Sequence, residues 1–198
     1  MHTVRVTPKD FFLWTGAMVA FYSSVFALIA LFFNYIDYAF PDVLNAYVDP
    51  YGTGIRYQIA TLAVLSPIYF ALIWVIRRDI LANTHLLDLW IRRWAIVLTL
   101  FVAGATVAGD LITLINTFLG GEITIRFFLK VFVVLLVSIG VFVHFYADFR
   151  GYWSKNPSYA MWVGWASAIL IVLTIVGGFL VIGNPAQLRL YRFDDQKI

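Results

Sequence analysis

From Asn156 to Leu188 the chain runs for 33 residues without a single charged side chain. A helix needs about 20 mostly apolar residues to cross the hydrocarbon core of a bilayer. It is also one of the few structures that satisfies its own backbone there. Four further apolar runs meet the same length requirement. Together they predict an all-α, polytopic integral membrane bundle with five transmembrane helices, at about 11–40, 54–76, 94–119, 122–150 and 157–183. The expected organisation is one transmembrane domain over residues 1–188, followed by a polar C-terminal tail at 189–198.

Composition supports that class. The chain is 62% apolar and 13% charged, where a soluble domain is nearer half apolar and about a quarter charged. The net charge of +3 suits basic residues at membrane-facing ends, and no nucleic-acid surface is expected. Cysteine is absent, which excludes disulfides, thiolate metal sites and cysteine nucleophiles. The first apolar run, Phe11 to Ile36, is too long for a signal-peptide core, and no small-residue cleavage site follows it.

Local signals set the expected boundaries. Thr7-Pro8-Lys9-Asp10 reads as a helix start, with Thr7 as cap, Pro8 at the first helical position and Asp10 reaching back. Arg77-Arg78-Asp79 is expected to stop the second helix, and Pro67 near its middle predicts a kink. The third helix is expected after Arg92-Arg93, and Gly120-Gly121 reads as a tight turn into the fourth. Asn156-Pro157 repeats the cap-plus-proline start for the fifth. Pro41 to Thr53 reads as a turn-rich loop, with Tyr47 and Tyr51 at the interface. Placing the N-terminus in the cytoplasm puts eight basic residues inside and six outside. The arginines flanking Leu81–Leu89 cast the strongest vote, so a bacterial inner-membrane protein with its C-terminus outside is expected.

The candidate functional residues are the polar ones inside these runs. Asp110 and Lys130 lie almost symmetrically about Gly120-Gly121, each roughly 14 Å along its helix from the turn. An intramembrane charge is costly and normally faces the protein interior, paired or functional, so an Asp110–Lys130 ion pair is expected. Thr106, Thr113, Asn116, Thr117 and Arg126 extend it into a polar seam. That seam reads either as an ion or proton track or as a hydrogen-bonded lock between helices. His144 and Asp148, one turn apart, form a second candidate pair, in which the carboxylate favours the imidazolium and makes a protonation switch; Asp148 bound to an arginine of the Arg77–Arg93 loop is the other expectation. Arg77, Arg78, Arg92 and Arg93 are candidates for anionic lipid headgroups. Asp37, Asp42 and Asp49 are expected to meet Arg56 or Arg126. Acids and histidines are too scattered for a metal, and His144 lacks a second ligand for haem, so no cofactor is expected. Ala160, Gly164 and Ala168 form a small-residue packing face, for contact within the chain or with a second copy; the expected partners are the lipid bilayer and a second copy or other membrane subunits.

Several stretches resemble an uncharacterised bacterial integral-membrane family catalogued as domain of unknown function 5671. They are Thr7–Trp14, Tyr47–Tyr51, Ile91–Trp94, Gly109–Gly121 and Leu190–Asp194. The resemblance covers nearly the whole chain and implies a multi-span membrane domain. It brings no activity, cofactor or site residue with it, and some members look as though a soluble region follows the last span. Without a catalytic motif, the expectation is a non-enzymatic scaffold, anchor or accessory subunit. The alternatives are a small ion, proton or solute transporter and, behind it, an enzyme acting on lipid or quinone.

Overall fold

A computed structural model describes residues 6–41, 53–121 and 124–182. Asp42, Tyr47, Asp49, Tyr51, Glu122 and the tail at 189–198 lie outside the described residues. Within them the chain forms α1 (Pro8–Ala39), α2 (Thr53–Ala82), a 3-10 turn (Thr84–Asp88), α3 (Trp90–Leu119), α4 (Ile125–Phe149), a single-turn α5 (Tyr152–Lys155) and α6 (Pro157–Ile182). There is no strand among the described residues. Five of these helices are long and apolar enough to cross a membrane. The shortest, α4 with 25 residues, is about 38 Å long.

The start of α1 follows its sequence signals. Thr7 Oγ1 accepts from the Asp10 backbone N–H at 3.2 Å, and Asp10 Oδ2 accepts from the Thr7 N–H at 3.1 Å. This capping box satisfies two otherwise orphaned donors, and Pro8 loses nothing by lacking an N–H there. Likewise, Pro157 opens α6, although the Asn156 side chain turns back to the Tyr152 carbonyl at 3.2 Å.

Two boundaries differ from expectation. The α2 helix continues through Arg77-Arg78-Asp79 to Ala82, and α3 already contains Arg92 and Arg93. Charges end an apolar run without ending a helix, because straight-chain side chains such as arginine keep good helical propensity. The break comes only at Asn83, in extended backbone before the 3-10 turn. Pro67 is likewise carried inside an unbroken α2.

The α1 helix is the axis. It packs against α2, α3, α4 and α6, while α3 and α4 form an antiparallel hairpin to one side. Two apolar clusters sit at its two ends. Trp14 and Ala17 meet Ile76, Leu89, Ile91 and Ala95 at one end. At the other, Ala27, Leu28 and Leu31 meet Ile55, Ile59 and Leu62, with Ile171 and Ile175 of α6 closing over them. Small residues bring the backbones close: Ala17 and Ala20 are buried. Gly178 lies so near α2 and α1 that a β-carbon there would strike Ile59 Cδ1 and lie 2.8 Å from the Tyr35 hydroxyl. By contrast nothing lies within 4 Å of a β-carbon at Gly164, and of the Ala160–Ala168 stripe only Ala160 is buried.

The outer surface is apolar. Phe26 is 71% exposed, Leu173 63% and Leu180 81%. Apolar patches of this kind on a folded surface mark contact with a partner or a membrane.

Candidate functional site

The hairpin between α3 and α4 decides where the charges go. Gly121 takes a φ of +72°, a left-handed conformation that glycine adopts without strain, and its N–H closes onto the Phe118 carbonyl at 3.1 Å. The connection then runs on to Thr124, whose hydroxyl caps α4 by accepting from the Phe127 N–H at 3.1 Å. So α4 begins at Ile125, not at 122.

That offset separates the expected pair. Asp110 lies nine residues inside the end of α3, and Lys130 only five inside the start of α4. The difference of four residues is about 6 Å along the axis, one full turn. Counted equally from the two helix ends, Asp110 corresponds to Val134 of α4 and not to Lys130. The expected Asp110–Lys130 ion pair therefore does not form. Lys130 turns to α1 instead, with its Nζ 2.7 Å from Asp37 Oδ1 and 2.8 Å from Oδ2.

Asp37 gathers the charge of this end. Arg126 Nε stands 3.8 Å from its Oδ1, as the sequence suggests, and Lys130 lies closer still. The ammonium of Lys130 also sits over the Phe33 ring, 5.3 Å from its centroid, a favourable cation–π placement. One turn back, Asn34 Nδ2 donates to Gln58 Oε1 of α2 at 2.7 Å. The Tyr35 hydroxyl donates to the Thr174 carbonyl of α6 at 2.5 Å. Three successive polar positions of α1 thus tie it to α2, α6 and α4. None of these ties needed a motif, and only the run of polar residues at the end of an apolar helix hinted at them.

Asp110 is left differently. Its Oδ2 is shielded from solvent and has no hydrogen-bond partner. The other members of the expected seam do not reach across to it either. Thr106 Oγ1 donates to the Val102 carbonyl and Thr113 Oγ1 to the Gly109 carbonyl, both at 2.9 Å and both four residues back on the same helix. Asn116 is exposed and Thr117 half-buried, and Arg126 faces Asp37. The threonines repeat on one face, but that face bonds to its own backbone rather than to α4.

At the opposite end, Asp148 does not pair with His144. Arg92, inside the first turn of α3, reaches it with Nη2 at 3.0 Å from Oδ1 and spends Nη1 on the Leu87 carbonyl at 3.1 Å. This is the arginine alternative of the sequence reading. His144 lies against the Trp153 ring at 5.3 Å, and its carbonyl accepts the indole N–H at 3.0 Å. Gly151, at a φ of +70°, makes the turn that brings Trp153 back.

The arginines divide accordingly. Arg92 is committed, Arg93 pairs with Asp88 at 2.6 Å on an exposed surface, and Arg78 covers the Trp74 ring at 5.7 Å. Arg77 and Arg78 are exposed. Lys9 joins Asp79 at 2.6 Å and ties α1 to the end of α2. Between the two ends, the Thr99 hydroxyl donates to the Ala95 carbonyl at 2.7 Å and accepts from the Tyr22 hydroxyl at 2.8 Å. Among the described residues no three His, Asp or Glu side chains gather as metal ligands would.

The family described as a domain of unknown function, DUF5671, matches residues 10–145. The chain belongs to this family. The matched region runs from α1 to near the end of α4, and so contains Asp37, Asp110 and Lys130 but stops short of Asp148 and α6. It is narrower than the near-complete resemblance read from the sequence, since Leu190–Asp194 falls outside it. No curated protein and no solved structure matches the chain.

Proposed function

We propose that the chain is a multi-pass protein of the bacterial inner membrane that acts without catalysis, as an anchor, scaffold or accessory subunit. One observation carries this reading. Apart from Asp110, charged side chains within the apolar helices are spent on ties between helices: Asp37 with Lys130 and Arg126, and Asp148 with Arg92. In a bilayer a lone charge costs about 2.5–3.5 kcal/mol on insertion scales. Mutual pairing makes such residues part of the packing rather than of a path. The threonines that a conducting track would use bond to their own helix.

The arginine bias supports an N-terminus in the cytoplasm, and with five crossings the end of α6 lies on the far side. The cysteine-free sequence makes this readily testable. Single cysteines at His85 and Gly120 should be labelled from opposite faces of the membrane. Gly120 accepts the side chain, since a β-carbon there meets nothing nearer than 3.5 Å. Labelling from one face would remove the five-span arrangement.

The competing reading is a small transporter or channel, and Asp110 is what favours it. Purified protein in liposomes under imposed proton, sodium and potassium gradients separates the two. The scaffold reading expects flux at the level of empty vesicles. Flux above that level, abolished by Asp110→Asn, would replace it with the transporter.

A further inference from the structure

A further set of polar side chains stands between α2 and α4, apart from the ties described above. A chain of rings fixes its floor. Tyr69 of α2 lies 5.3 Å from Phe21 of α1, Phe21 lies 5.2 Å from Phe145 of α4, and His144 lies 5.4 Å from Phe145 between ring centroids. Tyr69 and His144 are half-buried as residues. Their polar groups lie deep among the helices, both within electrostatic reach of Arg77 and Asp148. Yet the Tyr69 hydroxyl, the His144 ring nitrogens and the Arg77 guanidinium make no hydrogen bond among the described residues. Polar groups at such depth are nearly always bonded. All three side chains can donate, so what this crevice lacks is an acceptor.

Charge, depth and access say what that acceptor is. Asp148 is neutralised by Arg92 at 3.0 Å, so Arg77 is the uncompensated charge over the crevice, and the occupant is an anion. The 30 residues of α2 extend about 45 Å, against a hydrocarbon core of about 30 Å. Arg77, five residues from the end of α2 at Ala82, therefore sits about 8 Å from that end, where hydrocarbon gives way to headgroups. Access is from the side. The α6 helix leans on α1 and α2, and its second half is in close contact through Gly178 and Ile59, but a β-carbon at Gly164 meets nothing within 4 Å. Counted back from that contact along the antiparallel helices, Gly164 corresponds to Ile73, between Tyr69 and Arg77. A soluble anion would have to pass between apolar helices to enter there. A phospholipid already has its tails beside them and needs only to place its phosphate.

We propose that Arg77, Tyr69 and His144 form a site for the phosphate headgroup of an anionic phospholipid, lodged between α2, α4 and α6. Arg77 supplies the charge and paired N–H donors suited to a phosphate. The Tyr69 O–H and a His144 N–H add neutral donors from the two facing helices. Arg78 is turned onto the Trp74 ring at 5.7 Å and stands outside the site. The site rests on the five-span arrangement proposed above, and it is independent of the choice between scaffold and transporter.

The experiment titrates the full chain in detergent with dioleoylphosphatidylglycerol or dioleoylphosphatidylcholine and counts retained lipid by native mass spectrometry. One phosphatidylglycerol should be retained at about one-fifth the concentration that phosphatidylcholine needs, the worth of one basic residue toward an anionic headgroup. Arg77→Gln, at an exposed position, should erase that preference, and Tyr69→Phe and His144→Gln should each reduce it. Arg78→Gln should leave it unchanged. Equal retention of the two lipids would overturn the site, as would a preference that survives Arg77→Gln or the double change Tyr69→Phe with His144→Gln. So would an equal loss in Arg78→Gln, which would assign the effect to general basic charge. Displacement of the lipid by millimolar inorganic phosphate would make the ligand a free anion and overturn it too. The cysteine labelling at His85 and Gly120 keeps the two ideas apart. Labelling from opposite faces with no lipid preference sinks the site alone, whereas labelling from one face sinks the arrangement on which it rests.

Discussion

Four polar side chains of α1 each reach a different helix: Tyr22 meets Thr99, Asn34 meets Gln58, Tyr35 meets the Thr174 carbonyl, and Asp37 meets Lys130. Ser24, with a buried hydroxyl and no partner, is the exception. Along the second half of α3 the pattern reverses. Thr106 and Thr113 turn back to their own carbonyls, and Asp110 leaves an oxygen without a partner. The two stretches have similar residues but different neighbourhoods. Four helices flank α1, while the far half of α3 leans mainly on α4. A polar group in an apolar helix finds a partner when a second helix faces it; otherwise it bonds locally or waits.

The comparison breaks most visibly at Asp37. Lys130→Met should cost about 2–3 kcal/mol in thermal unfolding in detergent. That lies below the roughly 3–5 kcal/mol of a fully buried pair, because Arg126 stays near and about a quarter of each partner is exposed. The Asp37→Asn, Lys130→Met double variant should recover most of the loss, since it no longer strands a carboxylate. Additive effects in that cycle would mean that the tie seen here contributes nothing, and that α1 is no better answered than α3.

Gly178 tests the packing on which those ties depend. Gly178→Ala should cost about 1–2 kcal/mol by overpacking, with the new methyl against Ile59 Cδ1 and the Tyr35 hydroxyl. Adding Ile59→Val should relieve part of it, because the flexible end of Ile59 is the nearest obstacle. A neutral Gly178→Ala would show that α6 sits further from α1 than described. The Tyr22–Thr99 bond is smaller again: Thr99→Val should cost about 0.5–1 kcal/mol, and Tyr22→Phe should add little once it is made.

Much of the fold is legible in the sequence because apolar length and helix caps are local properties. The five long helices and the Thr7–Asp10 box need no knowledge of neighbours. The ends of α2 and α3 are not legible from charge, since Arg77 and Arg92 continue a helix as readily as they flank one. Lys130 fails for a different reason. Helical periodicity says which residues share a face but not which helix that face meets. A few extra residues between Gly120 and Ile125 shift the depth by a turn. Asp37, near the end of α1, offered no sign that it would take Lys130 as well as Arg126. For Asp110 the sequence identified an unusual residue and supplied the wrong partner.

The smallest effect is the most informative. If Asp110 were paired within the chain, Asp110→Asn would cost about as much as Lys130→Met. With no partner in the structure, the substitution removes a charge without stranding another, so unfolding of the isolated protein should change by no more than about 0.5 kcal/mol. Combined with Lys130→Met, the two changes should add to within about 0.5 kcal/mol, as independent sites do. A loss above about 1.5 kcal/mol for Asp110→Asn, or clear non-additivity with Lys130→Met, would restore the pair between α3 and α4. The second half of α3 would then be an answered face like that of α1.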